Sequence, residues 1–371
     1  MAKTAPSGGK VRTWQISSIL RAAYKSPGLT RMDLSRSLAV DKAMVTHLIG
    51  QLTEAGWFEG SAASAKKVRL ELVKDRLLAA GLEIQPERQR LVVCDLEGGL
   101  RLRKTWNRGL RDIGAFIEGT VARTLDSSGL LVAGVGVALP GICDRDSGTL
   151  IRSIPFGVEQ PLRLPACCGG SSASVFVDND ARCCGWGLVA FKKEVEDFFL
   201  LYVDLIDDPE DKRSYKRIAR GSALFLENRA YRGVHGCAGE LPSFFKIDEY
   251  RSGGSYIAYP DRLRMRSDPK TRRQFLKELA ITTAYVASAI DVRKLYLGGS
   301  LEADIPDAAA EFGKYLEEYR LYPDLQRIEV LLAGTDSYST ARGAAGLAFE
   351  TLFSEPALEA PTEFYRRVAG A

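Results

Sequence analysis

The apolar residues of the first 75 positions recur every three or four residues, which is the spacing of short amphipathic helices. A first helix contains Ile16, Ile19, Leu20 and Ala23, and the sequence Ser26-Pro27-Gly28 ends it. Two further helical segments follow closely. The pattern therefore predicts three helices that bury one small core together.

The second and third helices are predicted from their capping residues. Thr30 is followed by Asp33 at the spacing of a capping box, in which each side chain satisfies a free amide of the first turn. Asp41 is placed to cap the third helix in the same way. The inward-facing residues of these two helices are Leu34, Leu38, Val45, Leu48, Ile49 and Leu52. Two short helices around a tight turn are typical of a helix-turn-helix DNA-binding module.

The opposite side of the third helix is polar near its N-terminus, where helix-turn-helix proteins contact base edges. A wing follows: from Phe58 the chain runs through small polar residues into Lys67–Leu72, whose alternation predicts a half-buried strand of a β-hairpin. The candidate DNA-binding residues are Thr30, Arg31, Lys42, Ala43, Met44, Thr46, His47, Lys66 and Lys67. We expect double-stranded DNA to be the partner of this segment.

The distribution of charge supports DNA as the partner. Residues 1–80 carry a net charge of +7, the whole chain carries +4, and the remaining body is therefore net −3. A basic module on an acidic body is expected where one end of a chain meets phosphates. A three-helix module that binds another protein remains the alternative, because helical spacing alone does not distinguish the two.

Length and composition bound the rest of the protein. A chain of 371 residues with 46% hydrophobic residues is long enough for at least two sizeable cores. No apolar run has the length of a membrane span, and the N-terminus lacks the apolar core of a secretion signal, so we expect a cytoplasmic protein. The seven cysteines show no CxxC spacing, and we interpret them as free thiols that fill small spaces.

After position 75 the pattern alternates between strands and helices, which predicts an α/β fold in two halves. Arg90–Trp106 is a hairpin signal, with two apolar runs joined at Glu97-Gly98-Gly99. The other predicted strands lie at about 131–141, 174–180, 198–205, 295–299 and 328–334, and the predicted helices at about 110–125, 270–290, 308–319 and from 340.

Four segments of this body resemble the ROK family of repressors and sugar kinases in order and approximate spacing. They are VGVALPGICDRDSG (Val135–Gly148), VDNDARCCGWG (Val177–Gly187), AYRGVHGCAGEL (Ala230–Leu241) and LYLGGSL (Leu295–Leu301). The resemblance implies a winged helix-turn-helix followed by a two-lobed, actin-like, hexokinase-type domain that forms homodimers or homotetramers. The implied division is a DNA-binding domain at 1–75 and a ROK-type domain at 76–371, with lobe one at about 76–190 plus the C-terminal helix and lobe two at about 191–340.

The resemblance also implies a sugar site between the lobes. The family's Asn-Asp pair falls on Asn179 and Asp180, the glutamate of its Ala-Gly-Glu segment on Glu240, and the glycine of its Pro-Gly turn on Gly141. In the kinases the aspartate takes a proton from a sugar hydroxyl, and in the sugar-sensing repressors it accepts a hydrogen bond. For Asp180 and Glu240 a purely structural role, in capping or hydrogen bonding, remains open.

The chain departs from the family where a nucleotide and a metal would bind. The first phosphate loop is replaced by Gly81–Leu91, which has a proline and no glycine pair, and the second by a segment with clustered acidic residues, Asp207, Asp208, Glu210 and Asp211. Carboxylates beside a polyphosphate would repel it. Ser243 stands where the family has a sugar-contacting histidine, no cysteine follows Cys237, and Ser153–Leu162 holds no counterpart of the sugar-contacting asparagine. We therefore expect no catalytic residues, no cofactor and no metal.

Three hypotheses follow for the function. The first is a transcriptional regulator, a repressor, that binds an inverted-repeat operator as a dimer and senses a sugar or a related metabolite. The second is a ROK-type sugar kinase with an appended DNA module. The third is a DNA-binding regulator whose ligand cleft has degenerated into a scaffold.

Overall fold

The structure is a computed structural model of the chain. It describes residues 8–59, 69–169, 173–194, 196–208, 210–241, 263–305, 307–334 and 336–354, with the backbone alone at 8–10, 302 and 303. Lys66, Lys67 and Ser243 among the predicted residues lie outside this part of the chain.

The three predicted N-terminal helices are confirmed. They are α1 (Gly8–Lys25), α2 (Arg31–Leu38) and α3 (Lys42–Glu54). The capping box of Thr30 and Asp33 is formed, and Asp41 caps α3 through the amides of Ala43 and Met44. The predicted stripe of α3 is buried as a whole, and Leu34 of α2 is buried with it. Amphipathic spacing was sufficient here because the module has one small core.

The predicted wing is described only at its base. Phe58 forms an isolated antiparallel bridge with Leu72, and Thr30 forms one with Arg69. Arg69 is exposed and Leu70 is buried, which agrees with the predicted alternation. Between Arg69 and Leu72 the chain forms these separate bridges and no continuous strand, and Leu70 also bonds to the chain at Leu29. The rest of the predicted strand, at 67 and 68, lies outside the described residues.

The first lobe is built on a six-stranded sheet. Its strands are β1 (Leu78–Ile84), β2 (Gln89–Cys94), β3 (Leu100–Trp106), β4 (Val132–Leu139), β8 (Cys167–Cys168) and β9 (Ala173–Asn179), in the order β3-β2-β1-β4-β9-β8. Strands β1, β4 and β9 run parallel, so their carboxyl ends lie at one edge of the sheet. A small sheet of β5 (Ile142–Asp144), β6 (Thr149–Arg152) and β7 (Leu162–Arg163) follows β4.

The second lobe repeats this arrangement. Its strands are β10 (Phe198–Asp207), β11 (Tyr215–Leu226), β12 (Arg229–Tyr231), β13 (Lys294–Gly299) and β14 (Glu329–Leu332), in the order β12-β11-β10-β13-β14. In both sheets two consecutive hairpins form one side and parallel strands form the other. A duplicated α/β lobe of this kind places a cleft at the carboxyl ends of its parallel strands.

Two helices of the body cross each other closely at a glycine residue. The helices of the body are α4 (Ile113–Ala115), α5 (Ala122–Ser128), α6 (Asp180–Phe191), α7 (Pro269–Ile290), α8 (Leu301–Asp304), α9 (Ala308–Glu318) and α10 (Ser339–Leu352), with a π-helical turn at Phe116–Val121. A Cβ atom on Gly343 of α10 would lie 2.0 Å from the carbonyl oxygen of Cys183 on α6. Only glycine permits this close approach.

Helix α10 also joins the body to the N-terminal module of α1, α2 and α3. Tyr24 of α1 stacks on Phe353, just beyond α10, with ring centroids 4.3 Å apart. Lys25 pairs with Glu350 of α10. The apolar core of the module is continuous with the outer side of the first sheet through Ala345 and Phe349. The two parts therefore bury one core, and the module does not hang from a free linker.

Most predicted elements of the body are confirmed within two residues, including the hairpin at Glu97–Gly99. The predicted helix from Leu110 begins only at Ile113, where Asp112 caps it, so its start was wrong. The strands β1 and β11 were not predicted from the sequence. All seven cysteines are free, yet Cys167 and Cys237 are exposed, so the space-filling role holds for the other five.

Candidate functional site

The predicted recognition surface lies on the exposed side of α3. Lys42, Ala43, Met44, Thr46 and His47 are all exposed, while Val45, Leu48, Ile49 and Leu52 are buried. This separation follows from helical spacing, because positions one turn apart share a face. The side chains closest to the N-terminus of α3 are therefore available to a partner, as a major-groove contact requires.

Thr30 and Arg31, the other two candidate contacts among the described residues, are less accessible to a partner. The Thr30 hydroxyl accepts a bond from the amide of Asp33 at 3.2 Å and donates to that residue's carboxylate at 2.6 Å. These bonds to Thr30 lower the pKa of Asp33. Arg31 is half-buried. Thr30 thus has a structural role in starting α2, and it holds the first helix of the pair in place.

At the first phosphate-loop position the chain makes a tight hairpin turn between β1 and β2. Gln85 and Arg88 exchange two backbone hydrogen bonds, of 2.9 and 3.3 Å, across Pro86 and Glu87. The turn presents side chains, where a glycine-rich loop would present backbone amides to phosphate groups. Its side chains cross the cleft to the second lobe.

Three hydrogen bonds of this turn form what we call the interlobe latch. Arg88 bonds to Asp204, and Arg217 bonds to Gln85 and to Glu87. A terminal guanidinium nitrogen of Arg88 donates to Asp204 of β10 at 2.6 Å. Arg217 of β11 donates to Gln85 at 3.0 Å and to Glu87 at 3.1 Å. Asp204 is 2% exposed and Gln85 is fully buried. The latch therefore fills the side of the cleft where phosphates would lie.

The charges of the latch depend on one another. Burial alone would lower the pKa of Arg88, but the carboxylates of Asp204 and Glu83 outweigh burial and raise it. Burial raises the pKa of Glu83, although Arg88 and Arg90 lie 3.5 and 3.4 Å from its oxygens. A buried carboxylate needs such a partner, because an unpaired charge in the interior costs several kcal/mol, about 3–5 when a partner is removed.

Asp180 is attached to the latch. It begins α6 at the carboxyl end of β9, is 5% exposed, and accepts a hydrogen bond from the Gln85 amide at 3.0 Å. Burial raises the pKa of Asp180 to about 7, and Glu83 and Asp204 add to the shift. Asp180, the predicted ligand residue that matches the base of the family's kinases, is thus a buried carboxyl bonded to the protein's own glutamine.

Asn179 and Gly141 are brought together as predicted, but by bonds to each other. The Asn179 amide donates to the carbonyl oxygen of Gly141 at 3.1 Å, and its oxygen caps α6 through the amides of Ala181 and Arg182. Gly141 has φ +129°, and a Cβ atom there would lie 2.2 Å from the carbonyl oxygen of Arg152. The Asn179 side chain therefore holds the Pro-Gly turn against α6.

Glu240 is exposed and lies near the guanidinium of Arg182. Arg182 is itself buried and donates to Asp178 at 2.6 Å and to the carbonyl oxygen of Gly236 at 3.4 Å. Asp178 accepts further bonds from Trp186 and Arg232, and despite burial these two arginines lower its pKa. The loop that carries Glu240 is therefore tied to α6 beside Asn179, on the sugar side of the cleft.

Two of the four acidic residues at the second phosphate-loop position are paired with nearby arginines. Asp207 pairs with Arg266, and Asp211 pairs with Arg213 at 3.3 Å. At the Gly298-Gly299 turn that follows β13, Gly299 has φ +88° and a Cβ atom there would lie 2.1 Å from the carbonyl oxygen of Val203. Packing against β10 is thus sufficient to explain the glycine at this turn.

Sequence reasoning missed the residues that close the cleft: Gln85, Arg88, Asp204 and Arg217. A signal was present, since Asp204 lies within the apolar run FFLLYVDL and a charge in a buried strand requires a partner. Within the described residues no group of three His, Cys, Asp or Glu side chains is placed to hold a metal ion.

No protein-family model matches the sequence. The chain is 22% identical over 248 residues to a xylose repressor of Caldicellulosiruptor bescii, an alignment that spans 60% of this chain and 56% of the repressor. The chain thus spans little more than half of that relative. A crystal structure described as a ROK family transcriptional regulator, a homologue of the E. coli MLC protein, matches with a TM-score of 0.71 and 15% identity over 98% of this chain and all of that one.

A ROK family glucokinase from Streptomyces griseus, in complex with glucose and AMPPNP, matches with a TM-score of 0.56 and 16% identity, over 74% of this chain and 99% of that one. The ROK resemblance and the two-lobed fold that it implies are confirmed by these similarities. The match to the regulator covers nearly the whole chain, while the match to the glucokinase covers about three quarters of it. No helix of the described residues is both long enough and apolar enough to span a membrane.

Proposed function

We propose that this ROK-fold chain is a DNA-binding transcriptional regulator, a repressor, whose two-lobed domain senses a sugar or a related metabolite. One observation carries the proposal: an exposed recognition surface on α3 occurs in the same chain as a cleft whose phosphate side is filled by Arg88 and Asp204. A chain arranged in this way is equipped to contact DNA and poorly equipped to hold a nucleotide. The similarity to a xylose repressor supports a sugar as the effector.

The helix α10 supplies a path between the two functions. Its N-terminal end lies beside the latch, where Thr340 lies close to Tyr202 of β10. Its C-terminal end carries Glu350, which pairs with Lys25 of the DNA module. A change in the angle between the lobes would move α10 and with it the module. Operator binding by a dimer depends on the separation of its two modules, which must match half-sites about one helical turn apart.

The kinase hypothesis is supported by the fold it shares with the glucokinase, and the argument against it is electrostatic. A triphosphate at the turn of Gln85–Arg88 would have to displace the Arg88–Asp204 bond and would then face the Asp204 and Glu83 carboxylates. Two unit charges about 4 Å apart repel by about 1 kcal/mol in water, and by more in a cleft. Neither turn offers the backbone amides that would compensate.

The third hypothesis, a cleft that no longer binds any ligand, also has an observation in its favour. The side chains of Asn179 and Asp180 are both bonded within the protein, to Gly141 and Gln85. On this hypothesis operator binding would be insensitive to every sugar. Glu240 argues for a retained site, because it is exposed on a loop tied to α6.

A selection from a pool of random duplex DNA tests the proposal. The full chain is expected to enrich an inverted repeat, and a sugar of the pentose or hexose series is expected to change its affinity for that repeat. The same preparation, incubated with ATP, Mg²⁺ and a hexose panel, is expected to show neither a thermal shift nor phosphate transfer. Enrichment of no sequence, together with phosphate transfer to a hexose, would establish the kinase hypothesis in its place.

A further inference from the structure

A cavity of about 970 Å³ lies between the DNA module and the body, away from the interlobe latch. Arg21, Lys25 and Ser26 at the end of α1 form one wall, and α6 and the end of α10 form the facing walls. The volume is in the upper range of small-molecule sites, which hold about 300–1,000 Å³. The cavity is therefore large enough for a metabolite and touches both parts of the chain.

The walls of this cavity are cationic. Its basic side chains are Arg21, Lys25, Arg145, Arg163, Lys193, Arg229 and Arg232, and its acidic ones are Asp146, Glu194, Glu227 and Glu350. Of the acids, Glu350 is paired with Lys25, and Glu194 with Lys294, which does not line the cavity. The excess of positive charge predicts an anionic ligand.

Two of the cations are held in a state that an anion would stabilise. The Lys193 ammonium lies 3.7 Å from the centroid of the Tyr24 ring, and its nitrogen is buried with no hydrogen-bond partner among the described residues. Burial lowers the pKa of Lys193 to about 8. Arg145 stacks over Trp186 at 5.5 Å, and burial lowers its pKa as well. Arg145 already donates one hydrogen bond to the hydroxyl of Thr351, whereas the Lys193 nitrogen has none among the described residues. A desolvated donor that lacks an acceptor, as Lys193 does, costs free energy until an acceptor binds.

We propose that this junction cavity binds a small organic anion that carries phosphate or carboxylate groups, and that Lys193 and Arg145 bind its charged end. Arg21 and Arg163 lie at the walls and complete the cationic surface. The anion contacts α1 and the body at once, so it fixes the orientation of the DNA module. This regulatory consequence rests on the proposed function, whereas the binding site itself does not.

The site is tested first without DNA, by titration calorimetry with inorganic phosphate, citrate and glucose at fixed salt. Saturable binding of phosphate or citrate, and none of glucose in this cavity, is expected. Phosphate alone would indicate a phosphorylated ligand, and citrate alone a polycarboxylate. No heat from either anion up to about 10 mM would overturn the proposal, since affinities weaker than this correspond to nonspecific contact.

Variants locate the site. Lys193→Met and Arg145→Met are each expected to weaken anion affinity about tenfold, the usual effect of losing a charge-assisted hydrogen bond. Arg163→Met, at an exposed position on the rim, serves as a second variant that leaves the core intact, and Arg123→Met, exposed elsewhere on the first lobe, is the matched control. If all four variants bound the anion with the same affinity, the assignment of the junction cavity as the binding site would be overturned.

The regulatory step has its own measurement. Operator affinity in the presence and absence of the anion is expected to differ at least severalfold, and by linkage the operator must change anion affinity by the same factor. Anion binding that leaves operator affinity unchanged would overturn the coupling while keeping the site. Failure to bind any operator would count against the proposed function, because the calorimetric result is obtained without DNA.

Discussion

Arg88 and Asp204 lie 2.6 Å apart and connect the first hairpin turn of one lobe to the first strand of the other. In a nucleotide-binding protein of this fold these two positions would border the phosphates. Here an arginine and an aspartate neutralise each other instead, and Arg217 bonds to the same turn. The cleft is thus bridged by the protein's own charges.

Removal of the Arg88 guanidinium should destabilise the protein strongly. Arg88→Met leaves Asp204 and Glu83 buried with one partner fewer, and we expect a loss of about 3–5 kcal/mol in the free energy of unfolding, measured with urea. Arg213→Met is the control, because Arg213 and Asp211 form an exposed pair that contributes less than about 1 kcal/mol. In the double variant Arg88→Met, Asp204→Leu most of the loss should be recovered. Similar losses in the Arg88 and Arg213 variants would contradict the latch.

The pH dependence of the free energy of unfolding should reveal the raised pKa of Asp180. Its pKa is raised to about 7 by burial, whereas an unfolded aspartate titrates near about 3.9. The folded state therefore holds a proton that the unfolded state has lost, and stability decreases as pH rises between about 4 and 7, by at most about 1.4 kcal/mol per pH unit.

Asp180→Asn removes this titration. The free energy of unfolding should differ less between pH 5 and pH 7.5 in the variant than in the unmodified protein. The two proteins share every other titrating group, so the comparison isolates Asp180. Parallel pH profiles for the two proteins would show that Asp180 is ionised in the fold.

A methyl group added where α6 and α10 cross should destabilise the protein. Gly343→Ala places a Cβ atom 2.0 Å from the carbonyl oxygen of Cys183, and the helices must separate. We expect a loss of about 1–3 kcal/mol or more, as for other overpacked sites. Gly50→Ala on α3 is the matched control, because nothing lies within 4 Å of the added atom. That variant should be more stable by up to about 1 kcal/mol through helix propensity. Thermal unfolding distinguishes the two, and a stable Gly343 variant would exclude the close crossing.

The wing lysines should contribute to DNA binding through phosphates alone. Lys66→Ala with Lys67→Ala is expected to weaken binding to all duplexes and to reduce the slope of log affinity against log salt by up to about two. Anisotropy titrations at several salt concentrations measure this slope. An unchanged slope would place these lysines away from the DNA.

The DNA module could be predicted in detail from the sequence, and the cleft could not. Helical spacing and capping residues act locally, so Thr30, Asp41 and the α3 stripe were identified from neighbouring residues. The latch joins Arg88 to Asp204 across 116 positions. Nothing in either local sequence specifies its partner, and a charge pair between lobes becomes evident only when the strands are placed.

The ligand residues illustrate the same limit. Asn179, Asp180 and Gly141 were identified by resemblance, and the structure brings them together at the carboxyl ends of β4 and β9. The hydrogen bonds of Asn179 to Gly141 and of Asp180 to Gln85 depend on the positive φ of Gly141 and on the distant hairpin turn, neither of which a strand pattern encodes. Residues 60–68, which carry Lys66 and Lys67, lie outside the described part of the chain, so those two contacts stay predictions.

The most direct test is the sequence preference of the recognition surface. Thr46→Ala with His47→Ala is compared with His235→Ala, which removes the other histidine of the chain at an exposed site in the body. Affinities for the selected operator and for a scrambled duplex are measured by anisotropy at one salt concentration. The account predicts that the double variant binds both duplexes with equal, nonspecific affinity while the His235 variant keeps its preference. Undiminished operator preference in the double variant would contradict the assignment of α3 as the reading helix.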